Sequence, residues 1–154
     1  MKKVILSLIL CTGLFAEILE VSARTFQGNE KKGESLLEGN VEVKKAGDWL
    51  KADRVKIFTD SKRKLKSIEA QDKVTFLIHT QDNRTIYGKC DKLIYDAETK
   101  DYHLLKNVHV KEKGKDNEIK GDEIILNNTT GYVNVVGTKN KPAKIIFDLD
   151  NDDK

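Results

Sequence analysis

The sequence predicts an all-β chain, a β-jelly roll built from repeated strand pairs, and three observations predict it. From residue 35 onward apolar residues alternate with polar ones and no apolar run has helical spacing. That alternation puts every second side chain on one face of a strand. The second observation is a repeat. Gly39-Asn40-Val41-Glu42-Val43 returns as Gln71-Asp72-Lys73-Val74-Thr75-Phe76 and as Lys106-Asn107-Val108-His109-Val110, so the leading valine recurs with a period of 33 and then 34. A second phrase, a small residue, Asp, and then apolar residues at alternate positions, runs through Ala52-Asp53-Arg54-Val55-Lys56-Ile57, Cys90-Asp91-Lys92-Leu93-Ile94-Tyr95 and Gly121-Asp122-Glu123-Ile124-Ile125-Leu126. Self-similarity at this period marks a repeat architecture, here strand, turn, strand. Third, the apolar phase slips by one residue at each small-Asp step: Ile86, Gly88 and Cys90 have one parity, Leu93 and Tyr95 the other. A bulge or sharp bend produces such a slip. Three slips at one height curl the sheet into two facing walls, which also buries the apolar faces that an isolated hairpin leaves wet.

Taken in order, residues 1–16 read as a targeting segment: Lys2 and Lys3, an apolar run from Val4 to Phe15, and Ala16 at a cleavage point. A lipoprotein starting at Cys11 is disfavoured by the bulk of Leu10. An uncleaved anchor is disfavoured because roughly a dozen apolar residues fall short of the roughly twenty that span a bilayer. Residues 17–150 form the domain and 151–154 a frayed tail. Residues 18–27 are expected as the first strand, with Val21 and Ala23 inward, followed by a turn at 28–33 and a strand at 35–43. Residues 68–78 read as one long strand with Ile68, Ala70, Asp72, Val74, Phe76 and Ile78 on a single face. Polar loops at 44–48, 79–84 and 112–117 lie along one edge, and turns at 59–62, 96–100 and 127–131 along the other. Pro142 precedes a last strand at 143–149.

Composition narrows the function. With 38% hydrophobic and 34% charged residues in 154, the chain has room for one domain whose sheet keeps one face wet. Without the two lysines of the targeting segment, 26 basic side chains face 25 acidic ones, a net charge of +1. That balance gives no reason to expect nucleic acid as a partner. Cys90 is the one cysteine outside the targeting segment. An intramolecular disulfide is therefore excluded, and Cys90 reads as the small residue of the repeat frame in an exported, periplasmic protein.

The Gly-Asn-Val-x-Val and Ala-Asp-x-Val-x-Ile phrases behind a targeting segment resemble the OstA-like family over roughly residues 20–147. The resemblance implies a twisted, partly open β-jelly roll whose inner groove shields the acyl chains of lipopolysaccharide. It also implies terminal strands that pair head to tail with further copies and with sister jelly-roll domains of the inner- and outer-membrane export complexes. On this reading the groove comprises Val41, Val43, Val55, Ile57, Ile68, Val74, Phe76, Ile78, Ile86, Leu93, Tyr95, Val108, Val110, Ile124 and Leu126. Val21, Ala23, Ile145, Ile146 and Phe147 are the edge-strand residues of assembly. The alternatives are an inner-membrane-anchored component of the same export system and a structural or adhesive repeat protein that binds only through its edges; as plain residues the inward set is also an ordinary core.

Enzyme, metal and cofactor readings are weak. His79, His103 and His109 fall at outward, loop-edge or post-turn positions, and Asp53, Asp91 and Asp122 recur by register, which suits a structural role at the bend. No cofactor or metal is expected.

Overall fold

The structure, a computed structural model, describes the backbone of residues 4–12 and 15–149 and the side chains of residues 18–149. The side chains of the expected targeting segment and the tail 151–154 lie outside the described residues. Among the described residues, antiparallel pairing joins eleven strands in one sheet: β1 (Val4–Thr12), β2 (Phe15–Ala23), β3 (Thr25–Asn29), β4 (Glu34–Lys45), β5 (Asp48–Thr59), β6 (Leu65–His79), β7 (Thr85–Asp96), β8 (Asp101–Glu112), β9 (Glu118–Asn127), β10 (Val133–Val136) and β11 (Lys144–Ile146). Neighbours follow the order β1-β2-β4-β5-β6-β7-β8-β9-β10, with β3 also beside β4 and β11 also beside β9. The repeats are β4/β5, β6/β7 and β8/β9.

Each long strand crosses from one wall to the other at a register shift. One wall comprises residues 34–38, 54–59, 65–71, 92–96, 101–105 and 123–127; the second comprises 41–45, 48–52, 74–79, 85–90, 108–112 and 118–121. The slip expected in the returning strands is present, since Leu50 and Ala52 and then Val55 and Ile57 are buried. The extra residue, however, sits on the outgoing strand: Asp72 and Lys73 together face Asp91 alone, as Lys106 and Asn107 face Asp122. These pairs adopt positive φ, 68° and 53° at Asp72 and Lys73, 64° and 52° at Lys106 and Asn107, and 85° and 47° at Gly39 and Asn40. A left-handed residue costs roughly 1–2 kcal/mol unless it is Gly, Asn or Asp. Two such residues in succession keep the inward parity of the outgoing strand while turning its direction, so Asp72 is exposed instead of joining Val74 on the inner face.

The terminal strands change walls as well, which corrects their expected lengths. In place of one strand at 18–27, β2 pairs with the second-wall part of β4 and β3 with its first-wall part. Between them the Arg24 N–H donates to the Gly39 carbonyl at 3.0 Å. At the other end β10 pairs with residues 123–126 of β9 and β11 with 118–120. The last strand is therefore three residues long, with Ala143 and Phe147 outside it, because each wall receives only its own short piece of chain.

The core is one cluster between the walls. Leu37, Val55, Ala70, Leu93, Leu104 and Ile124 lie opposite one another across the first wall, and Val41, Ala52, Val74, Cys90, Val108 and Gly121 do so, pairwise, across the second. Burying a valine, leucine or isoleucine side chain is worth about 1.5–3 kcal/mol, so the first-wall row and the second-wall pairs together hold the walls against each other.

Candidate functional site

The interior is the one feature that every repeat builds. Of the residues assigned to the groove, Val41, Val43, Val55, Ile57, Ile68, Val74, Phe76, Ile78, Leu93, Tyr95, Val108, Val110, Ile124 and Leu126 are buried in the common core, and Ile86 is half-buried against it. The walls touch: the recess between Phe76, Ile78 and Leu50 on one side and Ile68, Leu93 and Tyr102 on the other measures only about 50 Å³. Leu37, Leu50 and Leu104 are buried as deeply and are missing from the sequence-derived set. The signal was present, because Leu37, Ala70 and Leu104 recur four residues before Val41, Val74 and Val108.

The walls part along one side, opposite the bends, and leave a mouth. There a cavity of about 350 Å³ has Ile78, Ile86, Tyr102 and Leu126 for an apolar floor, with Thr80 and Arg84 on one rim and Asn127 and Asn128 on the other. Contacts cross the mouth. The Asn128 side-chain amide donates to the His79 carbonyl at 3.4 Å, and the Lys45 ammonium lies 5.5 Å from the centre of the Tyr95 ring. Tyr95 in turn stacks on Tyr102 at 4.7 Å. Burial, with smaller contributions from Tyr95 and the Asp48 carboxylate, pushes the Tyr102 hydroxyl above its ordinary range, so it stays neutral.

One polar group was missed. Glu112, expected in a loop, continues the inward parity of Val108 and Val110 and is buried at the mouth end of β8. Asn117 Nδ2 donates to its Oε2 at 3.0 Å and Arg84 Nη1 stands 3.5 Å from its Oε1. A buried carboxylate requires such partners, which fixes the β8–β9 loop against the β6–β7 loop.

The other candidates are dispersed. His79 Nδ1 lies 2.9 Å from Asp48 Oδ1, and His109 contacts Glu118 on the outer face. Burial opposes the Glu118 charge, but hydrogen bonds from His109 and Lys120 hold its carboxyl below the ordinary value. Asn107 donates to Asp91 at 2.8 Å, which ties the extra residue of β8 to the small-Asp step of β7. Among the described residues no group of three or more His, Cys, Asp or Glu side chains is placed to hold a metal ion. Of the assigned edge residues, Val21 and Ala23 are buried on β2, whose outer side carries β1, whereas Ile145, Ile146 and Phe147 are exposed at the opposite end.

An antiparallel sheet folded over an apolar interior, parted along one side and carrying strand edges at its ends, is a β-jelly roll. LptH, described as the LptA homologous periplasmic component of the conserved lipopolysaccharide transport device from Pseudomonas aeruginosa, superposes with a TM-score of 0.74. It is 14% identical, and the match covers 84% of this chain and 94% of that one. At this identity the likeness concerns the fold. No curated protein matches the chain. The model of the family described as LptA/(LptD N-terminal domain) LPS transport protein matches residues 20–132. The chain belongs to that family of lipopolysaccharide transport proteins.

Proposed function

We propose that this protein is a periplasmic carrier that shields the acyl chains of lipopolysaccharide between its two walls and helps to bridge the inner and outer membranes by strand pairing. The observation that carries the reading is the continuous apolar interior, which runs beneath all six long strands and surfaces at the mouth on Ile78, Ile86, Tyr102 and Leu126. The closed recess is too small for an acyl chain, so the chain enters at the mouth and the walls part about the bends. Each methylene transferred from water is worth about 0.8 kcal/mol, and part of that is used to separate the walls. The affinity left over is moderate, which suits a conduit that must release its cargo.

The edges support the bridging half of the reading. β10 exposes Val133 and Val136, and β11 exposes Ile145 and Ile146. Such edges accept further strands. At the N-terminal end, cleavage after Ala16 removes β1 and leaves β2 as the terminal strand. Pairing of one end with the other is heterologous and does not close, so it builds a filament, and the sister jelly-roll domains of the export complexes use the same edges.

A photoreactive residue at Ile86, in the mouth, is expected to cross-link added lipopolysaccharide, and one at Ile94, on the outer face of the first wall, is not. Equal labelling at both positions overturns the groove. No labelling by a folded protein that still self-associates leaves the edge-binding repeat protein as the better reading.

A further inference from the structure

The outer faces of the two walls differ in charge. On the second wall, residues directly opposite one another form a row near the bends: Lys51, Thr75, Lys89, His109, Lys120 and Lys144. The next row toward the mouth runs Lys44, Trp49, Leu77, Tyr87 and Lys111 before reaching Glu118 and Ile146. These side chains point outward because their strand neighbours point in: Lys89 lies between Gly88 and the buried Cys90, and Lys111 between the buried Val110 and Glu112. All six lysines are exposed, and the carboxylates in the same rows are Glu20, Glu42 and Glu118. The two corresponding rows of the first wall are balanced, with Arg54, Lys56 and Lys92 against Glu38, Glu69 and Glu123.

The chemistry of this face selects its occupant. Its cations are all lysines, which are strongly hydrated point charges without the fork geometry of arginine. Protein interfaces are enriched in arginine and depleted in lysine. A bilayer bearing anionic headgroups asks for no fixed geometry, and each lysine near it is worth about fivefold in affinity. Between the lysines lies a narrow strip of Trp49, Leu77 and Tyr87, with Lys51 Nζ 4.8 Å from the centre of the Trp49 ring. Tryptophan and tyrosine, apolar in body and polar at one end, settle at headgroup depth.

We propose that the outer face of the second wall docks on the surface of a bilayer containing anionic phospholipid, with Trp49, Leu77 and Tyr87 at headgroup level and the surrounding lysines on the phosphates. This docking would hold a lipid carrier flat against the membrane with its interior empty or full, so it does not depend on what the interior binds.

Trp49 is the only tryptophan of the chain, and its emission reports the contact directly. The full chain is titrated with vesicles of phosphatidylglycerol and phosphatidylcholine in equal parts, and with phosphatidylcholine alone. The expected result is a blue shift with the anionic vesicles only, reversed by salt. Lys89→Gln with Lys111→Gln should weaken vesicle binding by about 25-fold, whereas Lys56→Gln with Lys92→Gln on the first wall should leave it within about twofold. All four side chains point outward, and a far-ultraviolet spectrum checks that each variant keeps its sheet. The proposal is overturned if Trp49 emission does not move, if both vesicle types bind equally, or if the two double variants lose affinity alike. It is equally overturned if the Lys89 and Lys111 variant binds as tightly as the parent, since residues 1–16, unchanged in every variant, would then account for the binding.

Discussion

Asn128 and His79, 49 residues apart in the chain, meet across the mouth, where the Asn128 amide donates to the His79 carbonyl. The bond is long, and Asn128 Oδ1 is buried without a partner. Losing a weak bond while removing an unsatisfied acceptor should nearly cancel, so Asn128→Ala is expected to change stability by less than about 1 kcal/mol. It should nonetheless loosen the mouth. Faster amide exchange at Ile78 and Tyr102, with unchanged exchange at Val55, is the expected readout.

Gly88 lies directly opposite Phe76 on one side and Val110 on the other. A Cβ there would overlap the main-chain oxygen of His109 and stand 3.0 Å from the tip of the Phe76 ring. Gly88→Ala should therefore destabilise by about 1–3 kcal/mol through overpacking. Gly114→Ala, in open space with φ of 81°, should cost only about 1 kcal/mol of backbone strain. Urea melts of both variants decide it; equal losses would mean that the second wall yields where it is expected to be tight.

Cys90 lies at the junction of the walls, and burial pushes its thiol from 9.0 up to about 12. In the unfolded chain the thiol ionises first. The contribution of this group to stability is thus intact below pH 9.0 and is lost as pH rises from there toward about 12. A thiol reagent at pH 8 should label Cys90 only under denaturing conditions. Rapid labelling of the native protein would contradict its burial.

Val133 and Val136 are exposed on the edge strand β10. Lysine at both positions guards an edge against strand addition and replaces no buried side chain. Sedimentation of the double variant should show self-association reduced or abolished, with the melting temperature kept within a few degrees. Undiminished association would place the contact on another surface.

Much of this architecture could be read from residues alone. The recurrence of Val41, Val74 and Val108 announced three strand pairs, and the parity on either side of Cys90 placed the bend. The same frame contained Leu37 and Leu104, which period two alone identifies less readily because each lies beside another leucine, Leu36 and Leu105. In the sequence Glu112 reads as a loop residue because its charge is the usual mark of solvent. It is inward because β8 continues two residues further than its apolar run, which restores the parity of Val110.

What the sequence determined by itself is which side chains share a face, because alternation is a local property of an extended chain and three repeats enforce one solution. What only the tertiary structure decided is where the chain changes walls. Asp72-Lys73 and Lys106-Asn107 carry no glycine to announce a left-handed turn, and they are held there by strands paired on both sides of them. The same holds for the division of each terminus between the walls, at Arg24 and after Val136, and for the meeting of Lys45 with Tyr95 at the mouth. These follow from folding a whole sheet over on itself, a long-range event that no window of neighbouring residues encodes.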